Sequence, residues 1–171
     1  MSMNFPTSTT KEFVFETIAA YLKSKQLLVN KKDDTRPWGG FFVLEEDTAE
    51  KFIALYFSHL SKGELIISGK LSPKILVVAP NKRLSWQYHH RRAEIWKLIG
   101  GTAGVITSDT DAEKETIYLN VGDLIQLKQG ERHRLIGLDG WGIVAEIWCH
   151  TDSVNPSDED DIIRIQDDFG R

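Results

Sequence analysis

Cysteine is nearly absent: Cys149 is the only one among 171 residues. A single thiol makes no intramolecular disulfide and builds no cysteine-rich metal site. It also fits a reducing compartment. No apolar run approaches the roughly 20 residues needed to span a bilayer. Met1 to Lys11 lacks the basic start and continuous apolar core of a signal peptide. These lacks predict a cytoplasmic protein without a membrane partner. Positive charge is also short. The formal net charge is −4, and the basic clusters Lys82-Arg83 and Arg91-Arg92 are too brief for a nucleic-acid stripe. They suit a small anion such as a phosphate.

What is present is ordinary for a globular chain: 41% hydrophobic and 27% charged residues. At this length one core is expected, hence a single domain over 1–171. The reading divides it into an N-terminal helical and strand extension (1–63), a barrel core (64–150) and an acidic tail (151–171).

Residues 9–24 read as a helix. Thr9 and Glu12 have capping-box spacing, and Val14, Ile18, Tyr21 and Leu22 fall on one face. Polar residues from Asn30 to Thr35 lead to a turn at Arg36-Pro37-Trp38-Gly39-Gly40. Phe41–Leu44 reads as a strand, and 47–60 as a second helix carrying Phe52, Leu55, Tyr56 and Leu60. From 64 onward short β-branched runs alternate with turn signals. The runs are 64–68, 74–79, 84–89, 94–99, 103–107, 115–119, 123–126, 133–136 and 141–148. Gly100-Gly101, Asn120 to Gly122, Gln129-Gly130 and Asp139-Gly140 punctuate them. The pattern predicts an all-β sandwich or barrel with added N-terminal helices. The run Asp158-Glu159-Asp160-Asp161 reads as a solvated end.

Gln87 and His89 are two apart and share a strand face. Glu94 lies at an odd offset, so His90-Arg91-Arg92-Ala93 must bend if Glu94, Trp96 and Leu98 are to face the same interior. His133 follows the turn Lys128-Gln129-Gly130. Two imidazoles, a carboxylate and an amide oxygen form a mixed set that suits zinc, manganese, cobalt, nickel or iron. His59 and His150 read as ordinary hydrogen-bonded residues. Of the five tryptophans, at 38, 86, 96, 141 and 148, most are expected in the core, with one or two free to stack on a sugar face.

Gln87-x-His89-x4-Glu94-x6-Gly101 and Gly122-x5-Lys128-x-Gly130-x2-His133 resemble the two cupin motifs, with Gln at the usual first His. Pro80, Lys128 and Gly137 depart from the motifs at turn positions. Arg36-Pro37-Trp38-Gly39, the stretch from Leu84 to Glu94, Gly130-Glu131-Arg132-His133 and Asp160-Asp161-Ile162-Ile163-Arg164 resemble the type II phosphomannose isomerase family. The likeness covers about 36–44 and 72–171. It implies a cupin double-stranded β-helix, a jelly-roll barrel.

The resemblance further implies one divalent metal ion, zinc first among the candidates, held by Gln87, His89, Glu94 and His133. It implies aldose–ketose isomerisation of a phosphorylated sugar, mannose 6-phosphate or a relative, and a homodimer. Arg92 matches a functionally important Arg of the family. Glu131 and His90 are candidates for the proton-transfer role by residue type. Lys82, Lys128 and Arg164, with Arg92, are candidates for the phosphate clamp. Ile95 stands where the family usually has His, but strand alternation points this position away from the metal. Nucleotidyl transfer is not expected, because the Gly-rich nucleotide loop is absent. A non-catalytic sugar- or anion-binding cupin, or another cupin reaction such as oxygenation, are the alternatives.

Overall fold

The computed structural model describes residues 3–60, 62–65 and 70–170. Helix α1 spans Lys11–Ser24 and α2 spans Ala49–Tyr56, entered through a 3-10 turn at Glu46–Thr48, with a short α3 at Lys62–Leu65. The strands are β1 (Val29–Asp33), β2 (Gly39–Leu44), β3 (Lys74–Val78), β4 (Trp86–Tyr88), β5 (Arg92–Ser108), β6 (Ile117–Leu119), β7 (Leu124–Leu127), β8 (Arg132–His150) and β9 (Ile163–Gln166). They form one sheet ordered β1-β2-β3-β8-β4-β9, with β5 pairing β6, β7 and β8. The two longest strands, β5 and β8, run antiparallel from Arg92↔His150 to Ser108↔Arg132. They are the spine on which the sheet curls into a cupin half-barrel.

Strand alternation sorts the core into two clusters. Leu76, Val78, Trp96, Leu98 and Val144 point into the barrel with Trp38 and Phe41. Their neighbours Ile75, Val77, Ile95, Ile143, Ala145 and Ile147 face outward, where Phe15, Ile18 and Leu22 of α1 and Phe52 and Ile53 of α2 cover them. The helices therefore armour the outer face and leave the barrel mouth open.

Several sequence expectations are corrected. The cap of α1 is Thr10, whose hydroxyl accepts from Phe13 N. Thr9 instead offers its carbonyl to the Trp141 indole. The 64–68 run is not a strand where it is described, since Glu64 and Leu65 end α3, and 66–68 lie outside the described residues. Polar 30–33 belongs to the edge strand β1, paired with β2. Gly100-Gly101 and Asp139-Gly140 are not chain reversals. They lie inside β5 and β8, where register shifts at Leu98/Gly100 and Gly101/Ala103 bend the spine. Nor is the acidic tail merely solvated: β9 pairs with β4, and Asp161 is buried.

Gly101 has φ +68, and a Cβ there would lie 1.7 Å from the Trp141 carbonyl oxygen. Gly101→Ala is therefore expected to destabilise the fold by about 3 kcal/mol in urea denaturation. Gly122→Ala also has positive φ, at +103, but nothing lies within 4 Å of the added methyl. Its cost should stay near about 1 kcal/mol. Equal losses at the two sites would refute the steric account of the bulge.

Candidate metal centre

The chain reverses at His90-Arg91, so that β4 and β5 present His89 and Glu94 to one interior. The reversal is held from the tail. One Asp161 carboxylate accepts the backbone N–H groups of His90 (3.0 Å) and Arg91 (2.9 Å), and Ser157 Oγ donates to it at 2.6 Å. From the other side, β8 opens at Arg132 and brings in His133, whose Cα pairs with that of Gln87. Ligand atoms of His89, Glu94 and His133 lie within 4.8 Å of one another, all buried.

Both imidazoles are oriented alike. His89 Nδ1 lies 2.5 Å from the Asp161 carbonyl oxygen, and His133 Nδ1 lies 2.9 Å from that of Glu131. A carbonyl only accepts, so each Nδ1 carries its proton and each Nε2 turns a lone pair inward. His89 Nε2 is 3.2 Å from Glu94 Oε1, and His133 Nε2 is 3.3 Å from Glu94 Oε2. Glu94 Oε2 and His133 Nε2 are buried without a hydrogen-bond partner among the described residues. Buried polar atoms in that condition are costly, and an ion between them would satisfy both. The cluster could hold a metal ion, and its N/O donors fit a divalent transition ion.

The electrostatics agree. Burial pushes the His89 pKa down to about 4, with Arg92 and His133 adding to the depression against the pull of Glu94. The ring is thus neutral at physiological pH, as a ligand must be. For Glu94 burial works to raise the pKa, but the charges of its neighbours overcome it and hold the carboxyl well below its ordinary value. Since His89 is uncharged at pH 7, Arg92 is the cation that keeps Glu94 ionised. Arg92 Nε donates to Glu94 Oε1 at 2.7 Å, and its guanidinium stacks 3.7 Å from the Trp148 ring.

Beside the cluster opens a cavity of about 300 Å³, lined by Gln87, Glu94 and Arg92, and also by Trp38, Trp96 and Trp148. The indole N–H groups of Trp38 and Trp148 are buried and have no partner among the described residues. The remaining wall mixes apolar residues such as Phe41, Leu76 and Leu84 with charged ones, among them Lys74 and Glu146 from adjacent strands and Glu159 and Arg164 from the tail.

The family model described as mannose-6-phosphate isomerase C-terminal matches residues 23–167. The chain belongs to that family. It is 33% identical over 108 residues to the alginate biosynthesis protein AlgA of Pseudomonas aeruginosa, a match covering 61% of this chain and 20% of AlgA. Against the mannose-1-phosphate guanylyltransferase of Escherichia coli it is 36% identical over 102 residues, 57% of this chain and 19% of that one. The chain thus spans about a fifth of the curated relatives it matches. The fold is similar to that of Lactobacillus farciminis oxalate decarboxylase, with TM-score 0.53 and 15% identity over 83% of this chain and 34% of that one. It is likewise similar to Staphylococcus aureus CapF, with TM-score 0.51 and 14% identity over 82% and 34%.

Within this member of the mannose-6-phosphate isomerase C-terminal family, the residues singled out by sequence divide sharply. Gln87, His89, Glu94, His133 and Arg92 come together, and Arg164 lines the same cavity. His90 and Glu131 do not join them as side chains. The His90 ring is exposed and packs edge-on against Tyr88. The Glu131 carboxylate accepts from Lys128 N within its own turn, and it is the Glu131 backbone that serves His133. Lys128 is exposed on that turn, and Lys82 lines a separate groove with Arg83, Tyr118 and Asp168. Ile95 is buried in the outer cluster, facing away from the His89–Glu94–His133 cluster as alternation requires. His150 is a hydrogen-bonded core residue, linked to Ser72 Oγ and Ser157 N.

Sequence reasoning missed Glu146 and Lys74. Both face inward beside the cavity, and they are register partners across β3 and β8. Burial, with the nearby Glu94 charge, pushes the Glu146 pKa up to about 7, although Lys74 and Arg92 oppose the shift. Glu146 Oε1 accepts the Trp96 indole N–H at 2.9 Å. The available signal was a lone carboxylate inside the apolar run Trp141–Trp148, where an ionisable group calls for a reason.

Proposed function

We propose that this domain is a metal-dependent aldose–ketose isomerase that interconverts mannose 6-phosphate and fructose 6-phosphate, or a closely related sugar phosphate. The observation that carries the reading is the placement of Glu146. A buried carboxyl with its pKa moved to about 7 lines the same cavity as Glu94 of the His89–Glu94–His133 cluster.

Isomerisation between C1 and C2 moves one proton through an enediol. A divalent ion held by His89, Glu94 and His133, with Gln87 as the amide donor, would supply Lewis-acid stabilisation of the developing oxyanion. Glu146 takes the proton from one carbon and returns it to the next, since a base acts best with a pKa near the working pH. This is the role for which the sequence offered His90 and Glu131. Arg92 holds Glu94 ionised and places a permanent positive charge beside the reacting oxygens. The indole N–H group of Trp38 offers a donor to a sugar oxygen. A phosphorylated sugar as partner, a cytoplasmic setting and a homodimer complete the proposal. No described helix is long and apolar enough to cross a membrane.

The test is a coupled assay for fructose 6-phosphate, run on protein loaded in turn with zinc, manganese, cobalt, nickel and ferrous iron. Turnover with at least one ion is expected. A protein that binds each ion stoichiometrically yet converts neither mannose 6-phosphate nor any of a panel of hexose and heptose phosphates is not an isomerase.

A further inference from the structure

Three cations gather around one aromatic ring at the cavity wall. Lys31 Nζ, Arg36 Cζ and Lys74 Nζ lie 5.9, 5.6 and 5.7 Å from the Phe41 ring centroid. All four residues line the same cavity. Lys74 is the anchor, because it is only 5% exposed and its ammonium rests 3.8 Å above the Trp148 ring. Like charges repel, so a convergence of this kind is stable only with anions between them. Asp33 Oδ2 takes Arg36 Nε at 2.8 Å. The anion on Lys74 comes from the tail, where the Glu159 carboxylate accepts from Lys74 Nζ.

Glu159 is an unusual partner for a buried lysine, because its own side chain is 66% exposed. Its neighbours are fastened independently. Asp158 pairs with Arg91 at 3.0 Å, and Asp161 holds the His90-Arg91 bend. The Glu159 side chain can therefore swing off Lys74 by rotamer change alone, with the tail left in place. Directly beneath, the Trp148 indole N–H is buried and has no partner among the described residues. The site thus offers a buried ammonium, a guanidinium, a second ammonium and a spare N–H donor, with one displaceable carboxylate.

We infer that Lys31, Arg36 and Lys74, with the Trp148 N–H, form the subsite for the phosphate monoester end of the ligand, and that Glu159 is its internal stand-in. This rests on the proposed reading of the cavity as a sugar-phosphate site. It moves the phosphate clamp from Lys82 and Lys128 to β1, β3 and the β1–β2 turn. A dianionic phosphate displaces the Glu159 carboxylate from Lys74 and gains Arg36 and Lys31 as further donors. Glu146, Asp160 and Glu94 also line the cavity, so the selectivity is for an anion that brings more charge than the carboxylate it replaces.

The experiment measures inorganic phosphate binding by calorimetry on metal-free protein at constant pH and ionic strength. Glu159→Gln removes the competitor and is expected to tighten phosphate about tenfold. Arg36→Gln should weaken it about tenfold, and Lys74→Met should abolish it. Arg36→Gln serves alone if Lys74→Met fails to fold. Phosphate affinity indifferent to Arg36→Gln and Glu159→Gln overturns the assignment, as does weaker binding in Glu159→Gln. The two readings fail separately. Phosphate binding with these responses but no isomerase turnover leaves the subsite standing. Turnover with unresponsive phosphate binding removes the subsite alone.

Discussion

His133→Ala protein is expected to fold and to lose its divalent metal, with affinity reduced at least about 100-fold. Gln87, His89 and Glu94 would remain on the β4–β5 bend, one amide oxygen, one imidazole and one carboxylate, a weaker set without the second imidazole. Glu94 is the partner of Arg92, which is 5% exposed. Glu94→Ala would leave a buried guanidinium with its main counter-charge gone, a defect that costs about 3–5 kcal/mol. Metal loss in that variant could then be read as unfolding. The His133 side chain packs against Trp96 edge-on at 5.4 Å and beside His89 at 5.2 Å. Its removal leaves a cavity and frees the Glu131 carbonyl and Glu94 Oε2, but strands no buried cation. Elemental analysis after dialysis gives the metal content, and near-ultraviolet circular dichroism reports the tryptophan-rich interior. Stoichiometric metal in His133→Ala would dismiss the cluster as the binding centre.

The route to that cluster was legible because it depends on local rules. Period-two alternation puts 87 and 89 on one face, a bend is forced before 94, and a turn glycine at 130 precedes His133. Each statement involves a few neighbouring residues, and the barrel merely brings the pieces together. What escaped the sequence depends on contacts far apart along the chain. Asp161 lies 70 and 71 residues from the two bend residues it holds, and its charge-rich surroundings read as a solvated end. Its carboxylate satisfies two N–H groups of a reversal that otherwise has none to spare, a role invisible to composition. The division of the basic residues was equally hidden. Lys82 and Lys128 sit at turns near the motifs, whereas Lys74 opens a strand whose next four residues are apolar. Residue type suggested an anion site, but only the β3–β8 register shows which cations face inward. The glycines at 100 and 101 were misread for a related reason. A bulge and a turn demand the same backbone freedom, and only pairing with β8 across the gap tells them apart.

Glu146→Gln should make the protein more stable and less active. The ordinary glutamate pKa of 4.5 rises to about 7 in the fold. Below pH 4.5 the group is protonated folded or unfolded and contributes no difference. Between pH 4.5 and 7 the unfolded chain releases the proton first, so stability falls as pH rises, and above 7 the full penalty is present. Two and a half pH units correspond to about 3 kcal/mol. The charges that set this value come from the two strands flanking Glu146: Glu94 and Arg92 on β5 and Lys74 on β3, with the Trp96 N–H opposing the rise. Glutamine keeps the oxygen that accepts from Trp96 and removes the titration. In chelator-treated protein the variant should therefore exceed the parent by about 3 kcal/mol at pH 8 in urea denaturation, and match it near pH 4.5. The same substitution should lower isomerase turnover at least about 100-fold with metal content unchanged, since proton transfer by a placed base contributes on that scale. A stability gain that is flat across pH would show that Glu146 is not a strained acid. A stable variant with undiminished turnover would move the proton transfer elsewhere. A carboxylate kept at the expense of folding stability, in a strand that is otherwise apolar, is the kind of conflict that function maintains.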